Sequence, residues 1–336
     1  MTETTLPGLE PIALRRFLED RGCAVAGPLR ASALSGGKSN LTYRVTDGET
    51  VWVVRRPPTA GLTPSAHDVG REFRVTSALR DTGVPVAAAI ALCEDDSVMG
   101  APFTVVEWVE GRVVRTADEL DGLGEVDDVV TELVGVLARL HAVDHEAVGL
   151  ADFGRPNGYL ERQVALWARQ WQHVKAAESA DVDRLHARLA ASIPARSGAA
   201  IVHGDYRIDN TILSTADPAR VAAVVDWELS TLGDPLADVA LMCVYRNPAL
   251  DTVLGDRAAW TSDRLPDGDA LAHRYSEASG RDIHDWDFHL GLANFKMAVI
   301  AQGIDHRHRA GAAGDGLDTA GSAVPRFVAA GLDAVG

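Results

Sequence analysis

The sequence predicts an α+β chain, with a β-rich N-terminal lobe over residues 1–107 and an α-rich C-terminal lobe over residues 108–336. Three observations predict it. Strand-like runs with β-branched and aromatic content fall before position 109, long helical patterns dominate after Gly111, and two short apolar runs bracketing polar loops sit inside the helical part. At 336 residues and 46% hydrophobic content, the chain can hold two lobes and a large core.

The elements follow in order. Pro11, in a favourable first-turn position, with Ile12, Leu14, Phe17 and Leu18 predicts a short amphipathic helix over 11–20. Strands are expected over 41–45 and 51–55, and a helix over 69–79 before the turn Asp81-Thr82-Gly83-Val84-Pro85. Phe103 to Val109 resumes strand character. Helical periodicity marks 129–141 and 159–174, while Ala199 to Val202 and Val221 to Val225 read as short buried strands. The Ala/Gly-rich stretch 310–321 reads as a loop.

Net charge is −16, with 48 acidic against 32 basic residues, which argues against general affinity for nucleic acid or anionic membrane. Met1 to Glu10 lacks a basic segment followed by an apolar one, and no apolar run approaches the roughly 18 residues of a membrane span, so a cytoplasmic location is expected. Cys23, Cys93 and Cys243 are scattered without metal spacing and read as core packing. Of the basic residues only Lys38, Lys175 and Lys296 are lysines.

The chemistry concentrates in His203-Gly204-Asp205-Tyr206-Arg207-Ile208-Asp209-Asn210 and in Val224-Val225-Asp226-Trp227-Glu228. An Asp five residues before an Asn, with a second Asp beyond the next strand, is the spacing phosphoryl transfer uses for a base and two metal ligands. Asp205 is the candidate base, and Asn210 and Asp226 are the candidate magnesium ligands. Any one of these residues alone would read as a turn residue; their joint spacing favours catalysis.

On these residues the chain resembles the aminoglycoside phosphotransferase-like family of small-molecule kinases, which shares the bilobal protein-kinase fold. His203-Gly204-Asp205 stands where protein kinases have His-Arg-Asp, and Asp226-Trp227-Glu228 where they have Asp-Phe-Gly. The resemblance is strongest to the branch found alone in bacteria and fused to acyl-CoA dehydrogenase-like enzymes, on Val53-Val54-Arg55-Arg56-Pro57-Pro58, on 226–238, and on Phe295-Lys296 with Gln302-Gly303. It covers roughly residues 30 to 310. It implies ATP, with GTP not distinguished, together with Mg2+ and a hydroxyl-bearing small molecule as phosphate acceptor.

In that frame Ser35-Gly36-Gly37-Lys38-Ser39 is a hairpin over the triphosphate, since Ser32 occupies the position where a P-loop requires its first Gly. Gly36 and Gly37 would let the backbone approach the phosphates, and Ser39 and Asn40 would hydrogen-bond them. The usual strand lysine is missing. Period-two alternation puts Val53 and Arg55 on one face, making Arg55 the candidate phosphate-binding cation, Arg56 its rival and Glu72 its helical partner. Glu107 and Val109, in Val105-Val106-Glu107-Trp108-Val109-Glu110-Gly111, resemble the segment whose backbone reads the adenine edge.

Arg207 would neutralise charge on the transferred phosphoryl group or clamp a carboxylate such as Asp234 or Asp238. His203 and His141 read as scaffold. Helices around 159–171 and 286–309 are expected to shape the acceptor pocket, with Trp167 and Trp171 either its wall or core packing, and His306-Arg307-His308-Arg309 either an anion contact or surface charge. Only seven residues separate Asp226 from Asp234, which leaves no space for a peptide-docking activation segment. Two other readings stay open, a catalytically silent nucleotide-binding module and, more weakly, a metal-dependent hydrolase. Oligomeric state is not legible.

Overall fold

The structure is a computed structural model that describes residues 6–34, 40–58, 68–311 and 318–336. It divides into two compact units, residues 1–110 with 222–230 and residues 111–221 with 231–336. The α+β class is as expected, with the sheet in the N-terminal part and helices dominating the C-terminal part.

The first unit runs α1 (Pro11–Asp20), β1 (Arg30–Ala33), β2 (Leu41–Thr46), β3 (Val51–Arg56), α2 (Val69–Leu79), β4 (Ala89–Cys93), α3 (Asp96–Met99) and β5 (Phe103–Glu107). The strands make a five-stranded antiparallel sheet in the order β1-β2-β3-β5-β4. Alternation along β3 buries Trp52, Val54 and Arg56 on one face and leaves Val53 and Arg55 on the other. Trp52 and Val54 join Tyr43, Val45, Phe103 and the Leu14, Phe17 and Leu18 stripe of α1 in one core. The Phe17 and Phe103 rings meet edge-on at 5.0 Å. On α2, the Asp68 side chain caps the N-terminus by accepting from the Arg71 amide at 2.9 Å. Glu72 lies buried in its first turn beside Val69, Val75 and Leu79.

The second unit carries α4 (Ala117–Asp121), α5 (Asp127–Ala142), α6 (Tyr159–Val174), α7 (Ala180–Ala191), β6 (Ala200–Val202) and β7 (Thr211–Leu213). After β8 (Val221–Val224) it continues with β9 (Thr231–Gly233), α8 (Pro235–Val244), α9 (Ala249–Leu254), α10 (Gly268–Ser279), α11 (Trp286–Arg309) and α12 (Val324–Ala334). All of β6 is buried, and it pairs antiparallel with β9. The long α11 packs against α6, α7, α8 and α12. Asp234 caps α8 by accepting from the Leu236 amide at 2.9 Å, with Pro235 in the first turn.

Four strands escape pattern reading: β1, β4 and the three-residue β7 and β9. β4 is the alanine-rich Ala89-Ile90-Ala91-Leu92-Cys93, and its pairing with β5 carries an irregularity between Ala89 and Ala91. β1 is polar and mostly exposed, as befits an edge strand. Within 310–321, turns and a 3-10 helix at Ala320–Ala323 flank residues outside the described set. No described helix is long and apolar enough to cross a membrane. All three cysteines are free.

Candidate active site

In the second unit the buried strand β6 delivers the chain into a tight loop. Gly204 sits at φ 85°, the left-handed region a side chain disfavours, so the chain can reverse just before Asp205. The Asp238 carboxylate pins this turn, accepting from the His203 amide at 2.7 Å and the Gly204 amide at 2.8 Å. The fully buried His203 in turn accepts at Nδ1 from the Asp205 amide at 3.3 Å. Buried His141 bridges Tyr275 at 2.8 Å and Asp238 at 3.3 Å, which makes it scaffold. Burial opposes ionisation of Asp238, yet the His141 hydrogen bond and the charges of His141 and His203 hold its carboxyl below the usual range.

The Asp205 carboxylate is compensated on both oxygens. Tyr245 donates to Oδ1 at 2.5 Å. Asn210 donates its side-chain amide to Oδ2 at 3.0 Å and to the Asp205 carbonyl at 2.7 Å. With its nitrogen so committed, Asn210 presents an amide oxygen as a hard ligand. Arg207 pairs with Asp205 at 3.4 Å and Asp209 at 3.2 Å, and lies over the Tyr245 ring at 5.0 Å. The carboxylates beside Arg207 are therefore Asp205 and Asp209. Asp238 and Asp234, proposed from the sequence as its clamp, brace backbone amides instead, Asp234 taking those of Leu236 and Gly198. Burial, then the charge of Asp205, raises Tyr245 well above an ordinary phenol, which keeps it a proton-bearing donor. Asp209 is raised by burial against the pull of Arg207.

In the first unit Arg55 is the centre. Its guanidinium meets Glu72 at 3.1 Å, Asp226 at 2.7 Å and Glu228 at 3.8 Å. Burial works against the charge of Arg55, but the three carboxylates outweigh it and raise its pKa. Burial pushes Glu72 up to about 7, with Arg55 drawing it down and Asp226 and Glu228 adding to the rise. Carboxylate oxygens of Glu72, Asp226 and Glu228 all lie within 4.8 Å of one another, a donor set chemically suited to magnesium. Asp226 reaches this position with φ 66°, a left-handed conformation that Asp tolerates better than most residues. Arg56 faces the opposite side, buried, donating to the carbonyls of Gly8 and Met99.

Asn40, expected at the triphosphate, is buried and donates to Glu72 at 3.3 Å. Gly36, Gly37 and Ser39 lie outside the described residues. At the end of β5 the Glu107 amide bonds the Ala88 carbonyl at 2.9 Å, and the Glu107 side chain returns the bond to the Ala88 amide at 2.9 Å. Among the described residues no hydrogen bond engages the Val109 amide.

The two tryptophans of α6 part company. Trp171 is buried and lines a cleft of about 210 Å³ with Val182, His186 and Phe295. Trp167 is half-buried and lies under the Lys296 ammonium at 5.6 Å. Arg307, His308 and Arg309 are exposed in the last turn of α11, where positive charge suits the helix terminus, and Arg309 pairs with Asp305 at 2.9 Å.

Four residues of these clusters escaped assignment from sequence: Tyr245, Asp209, Glu228 and Lys296. Their available signals were a tyrosine just beyond a mostly apolar helix, an acid next to a metal-ligand candidate in the motif for Asp209, an acid two places beyond one for Glu228, and one of three lysines in a mostly apolar stretch.

Residues 30–274 match the model of the phosphotransferase enzyme family. The chain belongs to that family. Mouse acyl-CoA dehydrogenase family member 10 is 36% identical over 90% of this chain, and chicken acyl-CoA dehydrogenase family member 11 is 37% identical over 85%. The matches span only 29% and 38% of those relatives. A putative aminoglycoside phosphotransferase from Ralstonia eutropha superposes with a TM-score of 0.83 at 34% identity, covering 97% of this chain and 98% of that one. An aminoglycoside phosphotransferase in ternary complex with AMP-PNP and hygromycin B shares the fold, with a TM-score of 0.63 at 17% identity over 95% and 98% of the two chains.

Proposed function

We propose that this chain is an ATP-dependent phosphotransferase that moves the γ-phosphoryl group to a hydroxyl of a small molecule. The observation that carries the reading is the Asp205 carboxylate, held by Tyr245, Asn210 and Arg207 at the end of a buried strand in a chain of phosphotransferase ancestry. Asp205 accepts a hydrogen bond from the acceptor hydroxyl and orients its oxygen toward the γ-phosphorus. The new O–P bond forms as the bond from the γ-phosphorus to the β–γ bridging oxygen breaks, ADP leaves, and the hydroxyl proton passes late to Asp205. Magnesium, when bound, neutralises charge on the β- and γ-phosphate oxygens.

Asn210 and Asp226 supply oxygen ligands for that ion, with Glu228 beside Asp226 as a further one. Arg55 takes the phosphate-binding work of the strand lysine and is paired with Glu72, while Asn40, which donates to Glu72, stands beside it toward the triphosphate. Gly36, Gly37 and Ser39 cover the triphosphate, and the backbone of Glu107 and Val109 reads the purine. Arg207 neutralises charge near the transferred group. The residues 1–107 act as the nucleotide lobe and 108–336 as the acceptor lobe.

The acceptor is small, because only seven residues lie between Asp226 and Asp234, the cap of α8. Aminoglycoside-like compounds, amino-alcohols, sugars and hydroxyacyl thioesters are the classes to test, the last prompted by relatives named acyl-CoA dehydrogenase family members. The reading is of a cytoplasmic enzyme, and the net charge of −16 supports one without a nucleic-acid partner.

The test is incubation of the chain with magnesium, γ-labelled ATP and a metabolite extract. A new labelled phosphate ester that requires both chain and metal is the expected result. Nucleotide binding without any ester would instead support the silent nucleotide-binding module, the reading favoured by an arginine in the strand lysine's place.

A further inference from the structure

Lys296 has a charge that the protein alone leaves poorly answered. Its ammonium donates to the Gly204 carbonyl at 2.9 Å, the residue immediately before the proposed base, and rests over the Trp167 ring at 5.6 Å. An ammonium has three donors, and among the described residues no second hydrogen-bond acceptor and no carboxylate within ion-pair distance engages it. Asp205 and Asp238 act on it only through space. Asp205 also receives Tyr245, Asn210 and Arg207, so its charge is shared among other donors and not given to Lys296 alone. Lys296 sits on α11 beside the buried apolar Phe295, Met297 and Ala298, where packing alone asks for no cation. It is half-buried, therefore partly desolvated and still reachable.

A partly desolvated cation with unused donors is costly unless a ligand supplies the missing acceptor. We propose that Lys296, floored by Trp167, is a specificity-determining residue that binds an anionic oxygen group, a carboxylate in the simplest case, on the same acceptor molecule whose hydroxyl Asp205 orients. This rests on the phosphotransferase reading for the role of Asp205. It narrows the acceptor to hydroxy compounds bearing a nearby anion and disfavours polycations, which would meet the ammonium with like charge. Burial moves the Lys296 pKa down, with Asp205 and Asp238 pulling it back up, consistent with a cation whose charge is only partly answered by its surroundings.

The experiment uses the full chain and a matched series: hydroxycarboxylates of graded chain length, and for each length the amide, the diol and the amino alcohol. Binding is measured by calorimetry with a non-hydrolysable ATP analogue and magnesium present, and turnover by ADP release. Wild type is expected to bind a hydroxycarboxylate more tightly than its amide or diol by about ten- to a hundredfold, the range for a hydrogen bond to a charged group, and the amino alcohol least of all. Lys296→Met is expected to erase that preference through affinity and KM, leaving kcat for the neutral members within about threefold, while Lys296→Arg restores part of it.

The wild-type series decides the matter even when Lys296→Met does not fold. Charge-selective binding without turnover would remove the transfer reading and leave the anion subsite standing. Charge-blind binding, or a preference for the amino alcohol, overturns the subsite whatever the turnover. An equal kcat loss for every member in Lys296→Met would put Lys296 on the transferred phosphoryl group and overturn the assignment as well.

Discussion

The two polar clusters of the molecule are inverses of each other. In one, the cation Arg55 is shared by Glu72, Asp226 and Glu228; in the other, the Asp205 carboxylate is shared by Tyr245, Asn210 and Arg207, the last of which also pairs with Asp209. The first holds more carboxylate than it can neutralise, which is the composition of a site that gains from an added metal cation. The second holds a compensated anion whose geometry is over-determined, which is the composition the proposed base needs to orient a hydroxyl. Similar residue types thus divide into charge capture and positioning according to which sign is in the minority.

That contrast can be broken from the first side most severely by Asp226→Ala. It removes an anion from the cluster, and magnesium-dependent turnover is expected to fall by at least about 10²-fold with weakened nucleotide binding, more than for Asn210→Ala, which deletes only a neutral ligand. An unchanged magnesium requirement in both variants would remove the metal assignment. Arg55→Ala comes next, with an expected rise in KM for ATP and a turnover loss of about ten- to a hundredfold, partly recovered in Arg55→Lys. Arg56→Ala sharpens the comparison. Its guanidinium is buried against the carbonyls of Gly8 and Met99, so chemical denaturation should show a stability loss of about 1–3 kcal/mol with ATP kinetics little changed. The opposite pattern in the two arginines would mean that β3 presents the wrong face to the nucleotide.

On the second side Tyr245→Phe deletes one donor to Asp205 while Asn210 and Arg207 remain. A turnover loss near tenfold at constant ATP affinity is expected, the low end for a hydrogen bond to a charge. A pure stability loss with normal turnover would make Tyr245 a packing residue.

The smallest effect is on stability with pH. Burial depresses the folded-state pKa of Lys296 below its ordinary 10.5, so between the depressed value and 10.5 the unfolded chain holds a proton that the folded chain has released. Stability from this group therefore rises with pH across that window, and the difference in urea midpoint between wild type and Lys296→Met should shift in favour of wild type as pH climbs toward 10.5. A constant difference would contradict the desolvated state of the ammonium.

Much of this was legible from the chain. Helices α1, α2 and α6 are bounded by Pro11, by the polar turn after Leu79 and by strong periodicity, and period-two alternation alone places Arg55 opposite Arg56. The strand β4 was not, because Ala89 and Ala91 carry no β-branched signal and pairing with β5 overrides propensity. Tyr245 was invisible for another reason. It meets Asp205 from 40 residues away at the end of an apolar helix, a tertiary contact with no local periodicity. The same holds for Lys296, whose partner Gly204 is 92 residues distant. Glu228 lay within the motif, but its share in Arg55 depends on the left-handed turn at Asp226.

The most direct test of the central claim is the rate of phosphate-ester formation by Asp205→Asn beside wild type, with magnesium–ATP affinity measured in parallel. The predicted result is a rate lower by roughly 10²–10⁴ at nucleotide affinity within about threefold of wild type. Ester formation near the wild-type rate in Asp205→Asn would contradict the account.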